Sequence, residues 1–317
     1  MINPGPGLRT LTVYTYAVLA MLFWGLSFVW FKQVINVYNP LTIITIRLLI
    51  SAALMALFLF FAGKIEQVKK EDIRWFMLLA FTQPFCYFIG ESFGLQMVSS
   101  TVSSVIISTI PLFTPIAAFL VLKENISREV LTGILFSFFG IVLMIVNPDL
   151  SIAAAPEGIL LLFIAVFAAV AYSVVIKKLA FKYQPATIIM MQNLLGAVYF
   201  LPLFLIFDLN DFLDARPGRD VWIALAKLAF FASTLSYLFY IISIKEIGVV
   251  KANILTNLIP IITAVFSYFI LDERFTPAKI AGMAVVMVGI ILSQYRSIYY
   301  NLLKQQNKDF GTKPTSE

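Results

Sequence analysis

Within an apolar stretch over residues 74–95, Gln83, Tyr87 and Glu91 recur at i, i+4 and i+8 and so share one face of a helix. A carboxylate placed inside a membrane span costs roughly 2.5–3.5 kcal/mol on insertion scales unless a partner or water meets it. Arg47 lies inside the preceding apolar run, at a similar depth if the two runs are antiparallel neighbours. Two readings of Glu91 stay open. In one it is Arg47's ion-pair partner, a structural clasp; in the other it is a proton-coupling or amine-binding carboxylate on a solute path. Lys227, in a later run, is expected to snorkel to the outer surface.

A second set of polar residues forms stripes. Ser104, Ser108, Pro111 and Pro115 fall on one helical face, and Asn253, Asn257, Pro260 and Ala264 repeat the spacing, with Thr114 and Thr263 beside them. Each first proline frees a carbonyl one turn earlier, near Ile107 and Thr256, which bends the helix and exposes an acceptor. Such stripes either line a cavity or glue helices together. Trp24 and Ser27, in the first apolar run, and Tyr237, which follows Ser233, add an aromatic wall suited to a planar or amphipathic solute. The candidate solute-binding set is therefore Trp24, Ser27, Gln83, Tyr87, Glu91, Ser104, Ser108, Pro111, Tyr237, Asn253, Asn257 and Pro260, with Glu91 and Arg47 as the coupling or charge pair.

Much other chemistry is excluded. The chain has no histidine, which removes His-dependent hydrolases and histidine metal sites, and its one cysteine, Cys86, can make no intrachain disulfide. It carries no G-x-x-x-x-G-K-[ST] loop for ATP. No cofactor, metal site or nucleic-acid partner is expected, and no catalytic residue.

The elements that hold these residues follow from composition. Of 317 residues 61% are apolar and only 13% charged, and the mean hydropathy is +0.93, so a water-soluble fold is ruled out. Apolar runs between charges predict ten spans, near 12–31, 41–62, 74–95, 100–122, 129–147, 157–176, 186–207, 221–243, 251–271 and 277–296, with a polar, mobile tail from about 297. The net charge of +6 reflects loop placement. Sixteen Lys and Arg, from Arg9 through Lys64–Arg74 and Lys177–Lys182 to Lys313, fall on one side, against five (Lys32, Arg216, Arg219, Arg274, Lys279) on the other. That asymmetry puts both termini in the cytoplasm of a plasma or bacterial inner membrane.

The chain also matches itself. An offset of 145 pairs Lys32 with Lys177, Tyr38 with Tyr183, Pro40 with Pro185 and Thr42 with Thr187. An offset of 149 pairs Pro111 with Pro260, Thr114 with Thr263, Glu124 with Glu273, Gly133 with Gly282 and Gly140 with Gly289. Each half holds five spans, and an odd number inverts the second half relative to the first. The expected organisation is a cytoplasmic segment over 1–11, one repeat over 12–147, a second over 157–296, and the tail over 297–317. Inverted repeats are a recurring plan of secondary transporters, with the solute near midplane between halves. Glu124 and Glu273 sit at span ends and are expected to stabilise the following helix start or loop rather than touch solute, and the paired glycines to mark close helix packing.

The block Pro111–Leu112…Lys123–Glu124…Gly133…Gly140, its copy Pro260–Ile261…Asp272–Glu273–Arg274…Gly282…Gly289, and Trp24–Gly25–Leu26–Ser27–Phe28 with Lys32 and Arg47 resemble the EamA-type repeat of the drug/metabolite transporter superfamily. The resemblance covers nearly all of 12–296. It implies an all-α polytopic membrane protein of ten transmembrane helices in two inverted five-helix repeats. Spans 1, 3, 4, 6, 8 and 9 would surround a central cavity, with 5 and 10 peripheral. The second half departs at Ala169–Val170, where the first has Trp24–Gly25. The expected function is secondary transport, as an exporter, of an amino acid, nucleoside, vitamin or amphipathic drug. The bilayer and the solute are its partners, a proton its candidate coupling ion, and a second copy a candidate homodimer partner. An intramembrane lipid-modifying enzyme or a channel is the alternative.

Overall fold

A computed structural model of the chain describes residues 6–122, 128–146, 154–248, 252 and 255–309, with side chains described at 11–116, 128–146, 154–176, 178–248, 252 and 255–293. In the first half the helices are α1 (Pro6–Val34), α2 (Pro40–Phe61), α3 (Lys70–Ala80), α4 (Tyr87–Met97), α5 (Ser100–Ile107), α6 (Ile110–Leu122) and α7 (Arg128–Ile145). In the second they are α8 (Pro156–Ala180), α9 (Pro185–Leu203), α10 (Leu209–Asp214), α11 (Arg219–Lys227), α12 (Ser236–Ile247), α13 (Leu258–Leu271) and α14 (Pro277–Asp309). Among the described residues, six helical stretches are long and apolar enough to cross a membrane: Leu11–Val34, Pro40–Phe61, Arg128–Ile145, Pro156–Ala180, Pro185–Asp214 and Arg219–Ile247. Ser100–Ile116, Leu258–Leu271 and Pro277–Ser293 are apolar but shorter. The chain is thus an all-helical multi-pass membrane protein. Large side chains such as Phe61, Phe139, Ile206 and Phe269 point outward, as a lipid-facing surface requires. The helix α14 runs on to Asp309, beyond the end expected near 296.

Breaks fall where the sequence frees the backbone. A π-helical turn over Phe81–Cys86 joins α3 to α4 and carries Pro84, and Gln83 within it has extended backbone angles. Two more π-turns follow: Phe204–Asp208 joins α9 to α10, and Leu228–Leu235 joins α11 to α12. The first and the last end at Cys86 and Leu235, 149 residues apart, so the repeat offset extends to these kinks. Between α5 and α6 the helix opens at Ser108–Thr109, just before Pro111, and α13 starts after a turn at Thr256–Asn257, before Pro260.

Helices of equal rank in the two halves pack antiparallel. Between α2 and α9, Asn193 meets Ser51 and Gly196 meets Leu48, two contacts that the offset of 145 exchanges. Between α7 and α14 the backbones almost touch. A Cβ at Gly140 would stand 2.5 Å from the Gly282 carbonyl, and one at Gly289 2.7 Å from that of Gly133, so only glycine fits. The remaining helices exchange partners: α1 packs on α12 and α13 of the second half, while α8 packs on α4, α5 and α6 of the first.

Acids of one half also close the helix starts of the other. The Thr42 amide near the start of α2 donates to Asp208 at 2.9 Å, the Gln184 amide before α9 to Glu66 at 2.9 Å, and the Thr101 amide in α5 to Glu273 at 3.4 Å. Each carboxylate satisfies an amide that the helix itself leaves unpaired.

Candidate functional site

Polar side chains from six helices converge beside the π-turns at Phe81–Cys86 and Leu228–Leu235. On one side the Gln83 amide donates to the Tyr237 hydroxyl across the halves. Tyr87, one turn on, donates to Glu91 Oε1 at 2.7 Å. Trp24 of α1 packs edge-on against Tyr237 and Tyr240, with ring centroids 5.2 and 5.0 Å apart. Arg47 of α2 is 4% exposed; its Nε donates to Ser233 Oγ at 2.8 Å, and its guanidinium lies 4.4 Å from the Phe88 ring centroid.

A neutral network underlies Arg47. The π-turn shifts the hydrogen-bond register of its strand of helix, and the Ser233 carbonyl accepts instead from Ser51 Oγ at 3.0 Å and Asn193 Nδ2 at 3.2 Å. Asn193 also donates to Ser51 at 2.7 Å and Thr234 to Ser51 at 2.6 Å. Deeper in the second half, the Tyr172 hydroxyl donates to Gln192 Oε1 at 3.0 Å. Ser51, Asn193, Ser233 and Thr234 are all at most 2% exposed, so these bonds tie α2, α9 and the Leu228–Leu235 π-turn together without water.

Of the sequence candidates, Trp24, Gln83, Tyr87, Glu91, Tyr237 and Arg47 meet in this cluster. The described stripe residues do not join it. Ser27 bonds back to the Trp24 carbonyl, Ser104 to that of Thr101 and Ser108 to that of Val105, each within its own helix. Pro111 is half-buried at the start of α6 and Pro260 buried in α13. Asn257 is buried with its Oδ1 unpartnered, and Asn253, like Glu124, lies outside the described residues. Thr263 reaches across to the Gly25 carbonyl at 3.0 Å, where a Cβ on Gly25 would stand 2.6 Å from Ile262. That close α1–α13 approach is a structural reason for glycine in the first half where the second has Val170.

Among the described residues Arg47 and Glu91 form no ion pair: Ser233 and Phe88 hold Arg47, and Tyr87 holds Glu91. Among the described residues α2 and α9 contribute polar contacts to the cluster, whereas the Ser104 and Ser108 hydroxyls of α5 are consumed by their own helix. Sequence reasoning missed Gln192 and Tyr172. The repeat offset would have found them: 145 residues on, Arg47 gives Gln192 and Ser27 gives Tyr172. Lys227 is half-buried, with its ammonium 5.9 Å from the Trp30 ring. Among the described residues no group of acids, cysteine or histidine could hold a metal.

Two cavities flank the cluster at opposite ends of the α2–α9 seam. One, of about 470 Å³, is lined by Asn39, Leu41, Ile89, Phe93, Phe207 and Asp208, among others. The other, of about 420 Å³, is lined by Glu66, Gln67, Lys69, Asp72, Lys182 and Tyr183. In the latter, Lys182 donates to the buried Asp72 at 2.8 Å and Tyr183 to its second oxygen at 2.9 Å, while Lys245 holds the Tyr183 carbonyl at 2.9 Å. The hydrogen bond from Lys182, more than any other factor, keeps the Asp72 carboxyl below the usual carboxylate range, and the same bond raises the Lys182 ammonium.

A bundle of apolar helices with breaks at mid-length, polar groups gathered at the breaks and repeat-related helices packed antiparallel defines a multi-pass membrane transporter. The chain belongs to the EamA-like transporter family, which matches it twice, over residues 11–146 and 156–295. It is 26% identical over 294 residues to the uncharacterized transporter YyaM of Bacillus subtilis, covering 90% of this chain and 94% of YyaM. It is 26% identical to an uncharacterized transporter of Archaeoglobus fulgidus over 86% of this chain and 95% of that one. A WAT1-related chloroplastic protein of Arabidopsis thaliana is also 26% identical, over 93% of this chain and 72% of its own. A solved crystal structure shares the fold with a TM-score of 0.66 at 13% identity, covering 89% of this chain and 98% of the other.

Proposed function

We propose that this chain is a secondary transporter that exports a small organic solute by alternating access, its ten spans forming two inverted five-helix repeats. The observation that carries this reading is the central cluster. Arg47, Glu91, Gln83 and Tyr87 of one repeat face Ser233, Tyr237 and Tyr240 of the other across kinked helices, so a solute held there touches both halves at once. Rocking the halves about the antiparallel α2–α9 and α7–α14 seams then alternates the side to which the solute is open. The breaks before Pro111 and Pro260 give spans 4 and 9 the bends such motion uses. Both termini lie in the cytoplasm of the inner membrane, and Glu91 is the carboxylate available to a coupling proton.

The test is solute counterflow in proteoliposomes of the full chain. External labelled solute accumulates transiently only when the same unlabelled solute is loaded inside, and Trp24→Ala with Tyr237→Ala removes the effect. Linear, non-saturating flux marks a channel, and solute conversion without exchange marks an enzyme; either result rejects the proposal. A reporter fused after Glu317 is active only inside the cell; activity outside rejects the orientation.

A further inference from the structure

The cavity of about 470 Å³ at the start of α2 shares no residue with the central cluster, and it holds an acid that the chain answers on one side only. Asp208, 5% exposed, ends the π-turn Phe204–Asp208 where α9 passes into α10. Its Oδ2 accepts from the Thr42 amide at 2.9 Å and from the Thr42 hydroxyl at 3.0 Å. Its Oδ1 accepts from no described group, and no described cation pairs with it, although Asp208 lines the cavity. A buried carboxylate is costly unless a cation or further donors meet it. The wall beside it is apolar, made by Ile89 and Phe93 of α4 with Leu203 and Phe207 around the π-turn. Phe207 is 66% exposed and its neighbour Ile206 72%, so this wall continues onto the lipid-facing surface. Asn39, before α2, and the exposed Gln96, near the end of α4, add a polar rim. A polar rim at the helix ends beside an apolar wall that runs out to the bilayer fits a lipid.

The opposite end of the α2–α9 seam shows what answers such an acid. The offset of 145 relates the two ends: Asn39 donates to Asp211 at 2.8 Å at one, and the Gln184 amide to Glu66 at 2.9 Å at the other. Beside Glu66 the buried Asp72 meets the ammonium of Lys182 at 2.8 Å. The residue 145 positions before Lys182 is Val37, so the end that holds Asp208 has no lysine in that place. We propose that a phospholipid with a primary-amine headgroup, of the phosphatidylethanolamine class, occupies this cavity and supplies the ammonium that the chain lacks. The ammonium donates to Asp208 Oδ1, a charge-assisted bond in a site with little water. The phosphate accepts from the side-chain amide of Gln96, which has no described partner, and an acyl chain lies along Ile89, Phe93, Leu203 and Phe207. A choline headgroup has no N–H to donate, and a glycerol headgroup carries no cation. The bound lipid touches α2 and α4 of one half and the π-turn of the other, so it braces the seam between them. The site does not depend on which solute the chain moves.

The full-length protein, stripped of lipid in detergent, is titrated with dioleoyl phosphatidylethanolamine, its N-methyl and N,N-dimethyl forms, phosphatidylcholine and phosphatidylglycerol. Bound lipid is read by native mass spectrometry, with the unfolding temperature measured beside it. The ethanolamine lipid binds at least about tenfold more tightly than the choline or glycerol lipid, the scale of one hydrogen bond to a charged group. The methylated forms keep the advantage while one N–H remains, and choline loses it. In Asp208→Asn, which keeps an acceptor for Thr42 and removes the charge, the ethanolamine lipid falls to the choline level. Leu203→Trp fills the apolar wall and leaves Asp208 in place; it weakens the ethanolamine lipid by a similar factor and decides the matter if Asp208→Asn fails to fold. The proposal is overturned if these lipids bind alike, or if the preference survives either substitution in folded protein. It is also overturned if dodecylamine, an amphipathic cation without a phosphate, displaces the lipid at equal concentration, which would make the cavity a site for cationic amphiphiles.

Discussion

The two repeats share a backbone plan and bring opposite chemistry to the centre. At corresponding positions the first half has Arg47, Phe88 and Glu91 where the second has Gln192, Tyr237 and Tyr240. Both halves break the third span with a π-turn, and both lay their second helix into the α2–α9 seam. At these positions only the first half is charged. The neutral half is also the better satisfied, with Gln192 bonded to Tyr172, Tyr237 to Gln83, and Asn193 to Ser51. A pair of inverted repeats needs backbone symmetry to present similar openings to both membrane faces, but a symmetric set of charges would serve only a symmetric solute. In the proposed transport cycle the neutral half positions and the charged half keeps its groups available.

The largest effect expected from this contrast is on transport. Glu91→Gln lowers counterflow by at least about tenfold, the scale of one charge-assisted contact. Its counterpart change Tyr240→Phe leaves counterflow within about twofold, since it deletes a hydroxyl and no charge. Equal losses in the two variants would break the proposed asymmetry.

Stability is expected to run the other way. Gln192→Leu strips the buried Tyr172 hydroxyl of its acceptor and costs about 1–2 kcal/mol of thermal stability in detergent. Glu91→Gln removes a half-buried charge that makes no ion pair among the described residues, so its unfolding temperature stays level or rises. Adding Arg47→Gln gives no rescue, there being nothing to rescue. A fall of several kcal/mol in Glu91→Gln, restored by Arg47→Gln, would show that the two form a clasp after all.

The smallest effect is at the end of the seam, where Asp72, Lys182 and Tyr183 join the halves. The Asp72 carboxyl titrates lower in the folded protein than in the unfolded chain, whose value is about 3.9. Its contribution is therefore complete above that value and is lost as acid takes the pH down through the folded one. Lys182 titrates higher when folded, so its share is complete below about 10.4 and is lost only as pH rises through the folded value. Around neutrality both are present. Asp72→Asn lowers the unfolding temperature at pH 7 and converges with the parent as the pH drops below about 4. Parallel curves over that range would mean the pair does not hold the seam.

Much of this was legible without coordinates. Composition dictates a membrane protein, because so apolar a chain has no other solvent. The paired offsets dictate two matching halves, and Gln83, Tyr87 and Glu91 share a face because helical spacing allows nothing else. The serine stripe was legible as a pattern but not as a role: a buried hydroxyl next to its own free carbonyl bonds there first, as Ser104 and Ser108 do. Which helices meet was beyond the sequence, since lipid tails and leucines are equally apolar and no periodicity says which face meets protein. Only the tertiary structure decided that Arg47 falls to Ser233 and Phe88 rather than to Glu91. The choice depends on where a π-turn 186 residues away delivers a side chain. The sequence determines which charges enter the membrane; the packing of two antiparallel halves determines that they arrive side by side and unpaired.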